Sequence, residues 1–141
     1  MSVALTKFES FSENLGKKVF DLSTDQLKIA LTNTTPTAGT DSVYVDITSP
    51  IAGTNLDGDT PFNVVTTSFA ETSGTAKLTL DDLTLTATGS VGPFQYVVLY
   101  SDDATNKELI GFYNYGSAVT LAENDTFKVD WDQVNGALTI A

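Results

Sequence analysis

The chain has 141 residues, with no His, no Cys and no Arg, and its seven Lys face eighteen Asp and Glu for a net charge of -11. Without imidazole or thiol there is no Ser-His-Asp or Cys-His nucleophile, no zinc cluster of the usual ligands and no disulfide framework. An acidic surface repels phosphate backbones, which argues against direct nucleic-acid binding. No apolar run reaches the ~18 residues of a membrane span, and residues 1–5 lack the basic start of a signal peptide, so secretory export is not expected.

The length fits one domain able to bury a core of its own. Residues 1–28 are neutral, with four Lys against four acids, so the whole excess lies in residues 29–141, where Lys77, Lys107 and Lys128 oppose fourteen acids. Two readings stay open: a solvating surface charge, or complementarity to a basic partner.

Thr6-Lys7-Phe8-Glu9 has capping-box spacing and predicts a helix over about residues 7–20, with Phe8, Phe11, Leu15 and Val19 as its apolar stripe. The stripe either packs on the chain's own sheet or docks on a neighbouring subunit. From Gln26 the period becomes two, and Leu27, Ile29 and Leu31 predict a strand whose other face is wet. A short strand is expected at residues 43–47 and another at 62–69, separated by a long loop at 49–61.

In residues 75–88, Ala76, Leu78 and Leu80 change phase to Leu83, Leu85 and Ala87 across Asp81-Asp82. Either a hairpin turn at the two aspartates or a bulge in one continuous strand would do this. Residues 94–100 and 108–115 read as central strands covered on both faces, the second broken by Gly116. Phe127, Val129 and Trp131 then face one way and Lys128, Asp130 and Asp132 the other. Asn135-Gly136 is a hairpin signal that would set Trp131 opposite Ile140 and Gln133 opposite Leu138, with Trp131 in the core. Mostly buried positions are expected at Phe94, Tyr96, Val98, Leu109, Phe112, Val129 and Trp131. The fold class is mainly β: an antiparallel sandwich or barrel of about seven to ten short strands with one N-terminal helix.

The chemistry on offer is sparse. Paired carboxylates can cleave glycosides, and the candidates are Asp81/Asp82, Asp102/Asp103 and Asp130/Asp132. Neighbours on a strand point to opposite faces, however, and the first two pairs fall at turns. Asn55-Leu56-Asp57-Gly58-Asp59 has a fragment of calcium-loop character, but no Glu stands at the twelfth position, and it reads as an Asp-Gly turn in a surface loop. No catalytic, cofactor-binding or metal-ligating residue is assigned, and no enzyme activity is expected.

The runs Ser90-Val91-Gly92-Pro93-Phe94-Gln95-Tyr96-Val97-Val98-Leu99-Tyr100, Leu109-Ile110-Gly111-Phe112-Tyr113-Asn114-Tyr115-Gly116 and Asp125-Thr126-Phe127-Lys128-Val129-Asp130-Trp131 resemble a family of small structural proteins of tailed bacteriophages. The N-terminal Phe8 segment with Leu27-Lys28-Ile29-Ala30-Leu31-Thr32-Asn33 is similar to the start of that family. The resemblance implies a capsid decoration, or cement, protein made in the host cytoplasm. It would bind the major capsid protein on the outside of the head as a homotrimer, with no cofactor, nucleic-acid or membrane partner. Residues 1–5 and the loop at 49–61, as adaptable segments, are the expected contacts. A tail or fibre adhesion module that binds a host receptor or glycan is the alternative.

Overall fold

The computed structural model describes residues 5–141. It is mainly β, with ten strands in three antiparallel sheets and one α-helix among these residues. The largest sheet is built on the two longest strands, β7 (Val91–Ser101) and β8 (Leu109–Leu121). β2 (Leu27–Thr32) flanks β7, and the short strands β1 (Thr6–Lys7) and β3 (Asn63–Val64) close the edges in the order β1-β8-β7-β2-β3. A second sheet pairs β5 (Thr75–Leu80) with both β4 (Thr66–Thr72) and β10 (Leu138–Ile140). A third pairs β6 (Leu83–Thr86) with β9 (Thr126–Val129).

Alternation along the central strands explains the layering. Leu27, Ile29 and Leu31 of β2, with Val97 and Leu99 of β7, face one way and meet Leu78, Leu80, Leu85, Val129 and Trp131 from the two smaller sheets in the main core. Ala30, Tyr96, Val98 and Tyr100 face the other way. With Phe8, Leu109 and Phe112 they form a second core, completed by Ile47, with Ala38 and Tyr44 packed against it. An antiparallel sheet usually leaves one face wet. Here residues 33–48 lie over that face, so β2 has no wet face beyond half-buried Lys28, and Thr32 is fully buried with its hydroxyl donated to Thr48 O at 2.6 Å. All seven positions expected to be buried are buried.

Several local expectations are corrected. The helix, α1, spans Ser10–Gly16, begins after Glu9 and has no side-chain cap. Thr6 is instead extended and pairs with Phe112, so the edge of the large sheet overrides the capping-box signal. Phe8 consequently enters the second core, while Phe11 enters the main one with Leu15 and Val19 packed against it. Residues 43–47 form no strand: a 3-10 turn at Tyr44–Asp46 is held by the Asp46 carboxylate, which accepts the N–H groups of Ser42 and Val43 at 2.9 and 3.1 Å. Val45 is left exposed, while Ile47 is buried and Tyr44 packs on the second core.

Neither expected hairpin forms. Asp81-Asp82 is a corner where the chain leaves the β4–β5 sheet for β6. Asp81 N–H donates to Val65 O at 2.9 Å, and the Asp82 carboxylate accepts Trp131 N–H at 2.9 Å. Strands that switch sheets at a bend are a usual way of turning a sandwich corner. The chain does turn after Trp131, where the Asp132 carboxylate accepts the N–H groups of Val134 and Asn135. It returns to β5 rather than β9, so that Leu138 faces Leu78 and Ile140 faces Ala76. The tight hairpin lies instead between β4 and β5, where Ser73 and Gly74 both have positive φ (53° and 87°), the backbone that a two-residue hairpin turn requires. β8 is also not broken at Gly116. It bulges there between the pairs Tyr96–Asn114 and Phe94–Val119, then resumes pairing to Leu121.

Candidate functional site

Of the candidate carboxylates, Asp81, Asp82, Asp102, Asp103 and Asp132 have structural partners in the fold. Asp81 accepts the Thr67 hydroxyl at 2.8 Å, and Asp82 holds Trp131 N–H and pairs with Lys128 at 3.3 Å. Asp103 accepts Gln26 N–H at 2.8 Å, while Asp102 lies between Lys28, at 3.4 Å, and Lys107. Asp132 caps the turn described above. None of these roles presents two carboxylates to one cleft.

The same role recurs along the chain. Asp21 accepts the N–H and hydroxyl of Ser23, Asp41 accepts Thr37 N–H, Asp125 accepts Ala122 N–H, and buried Glu108 accepts Asn106 N–H at 2.6 Å. This is a third use of the acidic excess that sequence reading missed: an Asp two to four residues before or after a turn satisfies backbone donors that no ladder reaches. The signal was present as Asp at most of the loop boundaries.

These bonds hold carboxyls below their ordinary range. Asp21 is lowered by its bonds to Ser23 and Thr24, Asp46 by the N–H groups of Ser42 and Val43, Asp132 by Asn135, Asp102 by Lys107, and Glu13 by Lys17. A carboxyl lowered on folding stabilises the fold fully above its unfolded pKa, about 4, and loses that contribution as pH falls through the folded value. The thermal midpoint should therefore be nearly flat from neutrality to about pH 5 and fall steeply below about pH 4. Relief of acid–acid repulsion acts the other way, but beyond ~10 Å it is already screened at 0.1 M salt. A midpoint that rises on acidification, followed by differential scanning calorimetry, would contradict the capping role.

The loop at residues 49–61 is anchored, contrary to the expectation of mobility. Ile51 N–H donates to Leu31 O at 2.8 Å, Asp57 N–H to Thr86 O at 2.9 Å and Asn55 Nδ2 to Ser90 O at 2.9 Å, while buried Leu56 bridges Ala87. Asp57 and Asp59 stay exposed around Gly58, and no cluster of three or more acidic side chains that could hold a metal ion occurs among the described residues. Of the other expected contact segment, residues 1–4 lie outside the described residues.

Two open dishes flank the Lys28–Asp102–Lys107 group. One, of about 390 Å³, lies between residues 53–63 and the pair Lys28 and Tyr100. The other, of about 420 Å³, is more apolar and is formed by residues 43–45 and 105–107. Tyr44 and Tyr100 pack between them with ring centroids 5.0 Å apart and planes tilted by 53°. Burial first, then the neighbouring Tyr44 and Asp102, pushes the Tyr100 hydroxyl well above the usual phenol range, so it remains a neutral hydrogen-bonding group. Sequence reading missed this group because its members are distant in the chain. They meet through the β2–β7 register, which sets Lys28 opposite Tyr100.

No family model, curated protein or solved structure matches the chain.

Proposed function

We propose that the chain is a non-enzymatic structural protein of a phage virion, a decoration protein that binds the major capsid protein on the outside of the head as a homotrimer. The observation that carries this reading is where the family-like residues lie. The runs Ser90–Tyr100, Leu109–Gly116 and Asp125–Trp131 pack on one another, with Phe94 against Phe127 at 5.0 Å and Tyr113 against Trp131 at 5.3 Å. The apolar residues of the runs that carry the resemblance thus share one packed region. A role without catalysis is in keeping with Asp81, Asp82 and Asp103 serving corners and turns. A rigid acidic body suits docking on a basic shell, and several copies around a symmetry axis gain avidity without tight single contacts.

Purified protein mixed with expanded phage heads should co-sediment to saturation, at a stoichiometry that is a multiple of three per bound position. A stable monomer by light scattering that leaves heads bare at micromolar concentration would remove the reading.

A further inference from the structure

The dish beside β3 combines features of a small-ligand site. Asp59 and the hydroxyls of Thr54 and Thr60 line it, and their side chains make no hydrogen bond among the described residues. Lys28, 28% exposed, reaches it from β2. Its apolar part is Pro61 with the half-buried ring of Phe62, and the absence of a side chain at Gly53 keeps that part open. A Cβ there would stand 3.1 Å from Pro61 Cγ and 3.4 Å from Phe62 Cε2. Asn63, on the same rim, has a buried Oδ1 with no donor, a cost that an incoming hydroxyl would recover after a small shift of the rim.

Charge selects the ligand class. Of the residues that line the dish only Lys28 and Asp59 are charged, one against one, so it has no net charge to hold an anion or a bare cation. The chain's -11 repels anions further. What remains is a ligand that is neutral, carries many hydroxyls and has one apolar face. We propose that this dish binds a neutral sugar ring, as one residue of a surface glycan, lying on Pro61 and Phe62 with hydroxyls toward Asp59, Thr54, Thr60 and Lys28. The volume of about 390 Å³ is within the range of small-ligand sites.

Titration of ¹⁵N-labelled protein with glucose, galactose, mannose and N-acetylglucosamine tests this. At least one sugar should move the amides of residues 28, 53–54 and 58–63 saturably, with a Kd on the order of 1 mM as expected for an open site. Asp59→Ala and Thr60→Val should each weaken binding about tenfold while leaving other amides in place, since neither side chain bonds within the fold. The proposal is overturned if none of the four sugars gives saturable shifts up to about 100 mM, or if both variants bind as the parent does. It is equally overturned if inorganic phosphate moves these amides and sugars do not. Head binding by the parent protein is a separate readout that needs no sugar, so failure of the sugar titration and failure of the capsid reading are told apart.

Discussion

Replacing Trp131 by Ala should cost about 3–5 kcal/mol, enough to unfold much of the population of a marginally stable domain at 37 °C. Trp131 is 1% exposed, packs on Tyr113, and donates its backbone N–H to Asp82 at the corner where the chain changes sheets. Removing the indole opens a cavity where all three sheets meet. Trp131→Phe should cost only roughly 1–2 kcal/mol, because the buried Nε1 has no acceptor among the described residues and its loss relieves an unpaired donor. Urea denaturation measures both. If Ala costs less than about 1 kcal/mol, the core is not centred on this residue. If Phe costs as much as Ala, the indole N–H does hold a bond.

The second large effect concerns the rate of association with heads. Although many acids cap turns, Asp21, Asp46, Asp57, Asp59, Glu123 and Asp125 remain at the surface and charged, so the field around the body stays negative. Under the proposed docking on a basic shell this field would steer encounter, and the on-rate should fall about tenfold or more as the Debye length shrinks from about 10 Å at 0.1 M to about 3 Å at 1 M salt. Stopped-flow or surface binding at a series of salt concentrations gives the number. A flat on-rate would leave the acids with capping and solubility alone.

Which residues form strands was legible from alternation in β2 and β9, and from apolar runs on both faces in β7 and the first half of β8. Pairing was not. The phase change at Asp81-Asp82 and the Asn135-Gly136 turn both read as local hairpins, because alternation reports the face of a strand and says nothing about its neighbour. In the folded chain both turns hand the strand to a different sheet, fixed by the Asp82–Trp131 bond and by the return of Leu138 to Leu78. Thr6 failed as a helix cap for a related reason, since edge pairing with Phe112 outweighs a local cap. The wet face expected of β2 was covered by residues 33–48, a stretch whose Thr, Pro and Gly content marks a loop without showing what it lies on. The Lys28–Asp102–Lys107 group and the dish beside it needed the three-dimensional register to appear at all.

The most direct measurement of the proposed role is a reconstruction of virions of the phage that encodes this chain under that proposal, at a resolution that places a 15.0 kDa β-sandwich. The account predicts three copies around symmetry positions on the outer face of the head, in contact with the major capsid protein. Density for the chain on the tail or its fibres, or its absence from purified virions, would contradict it.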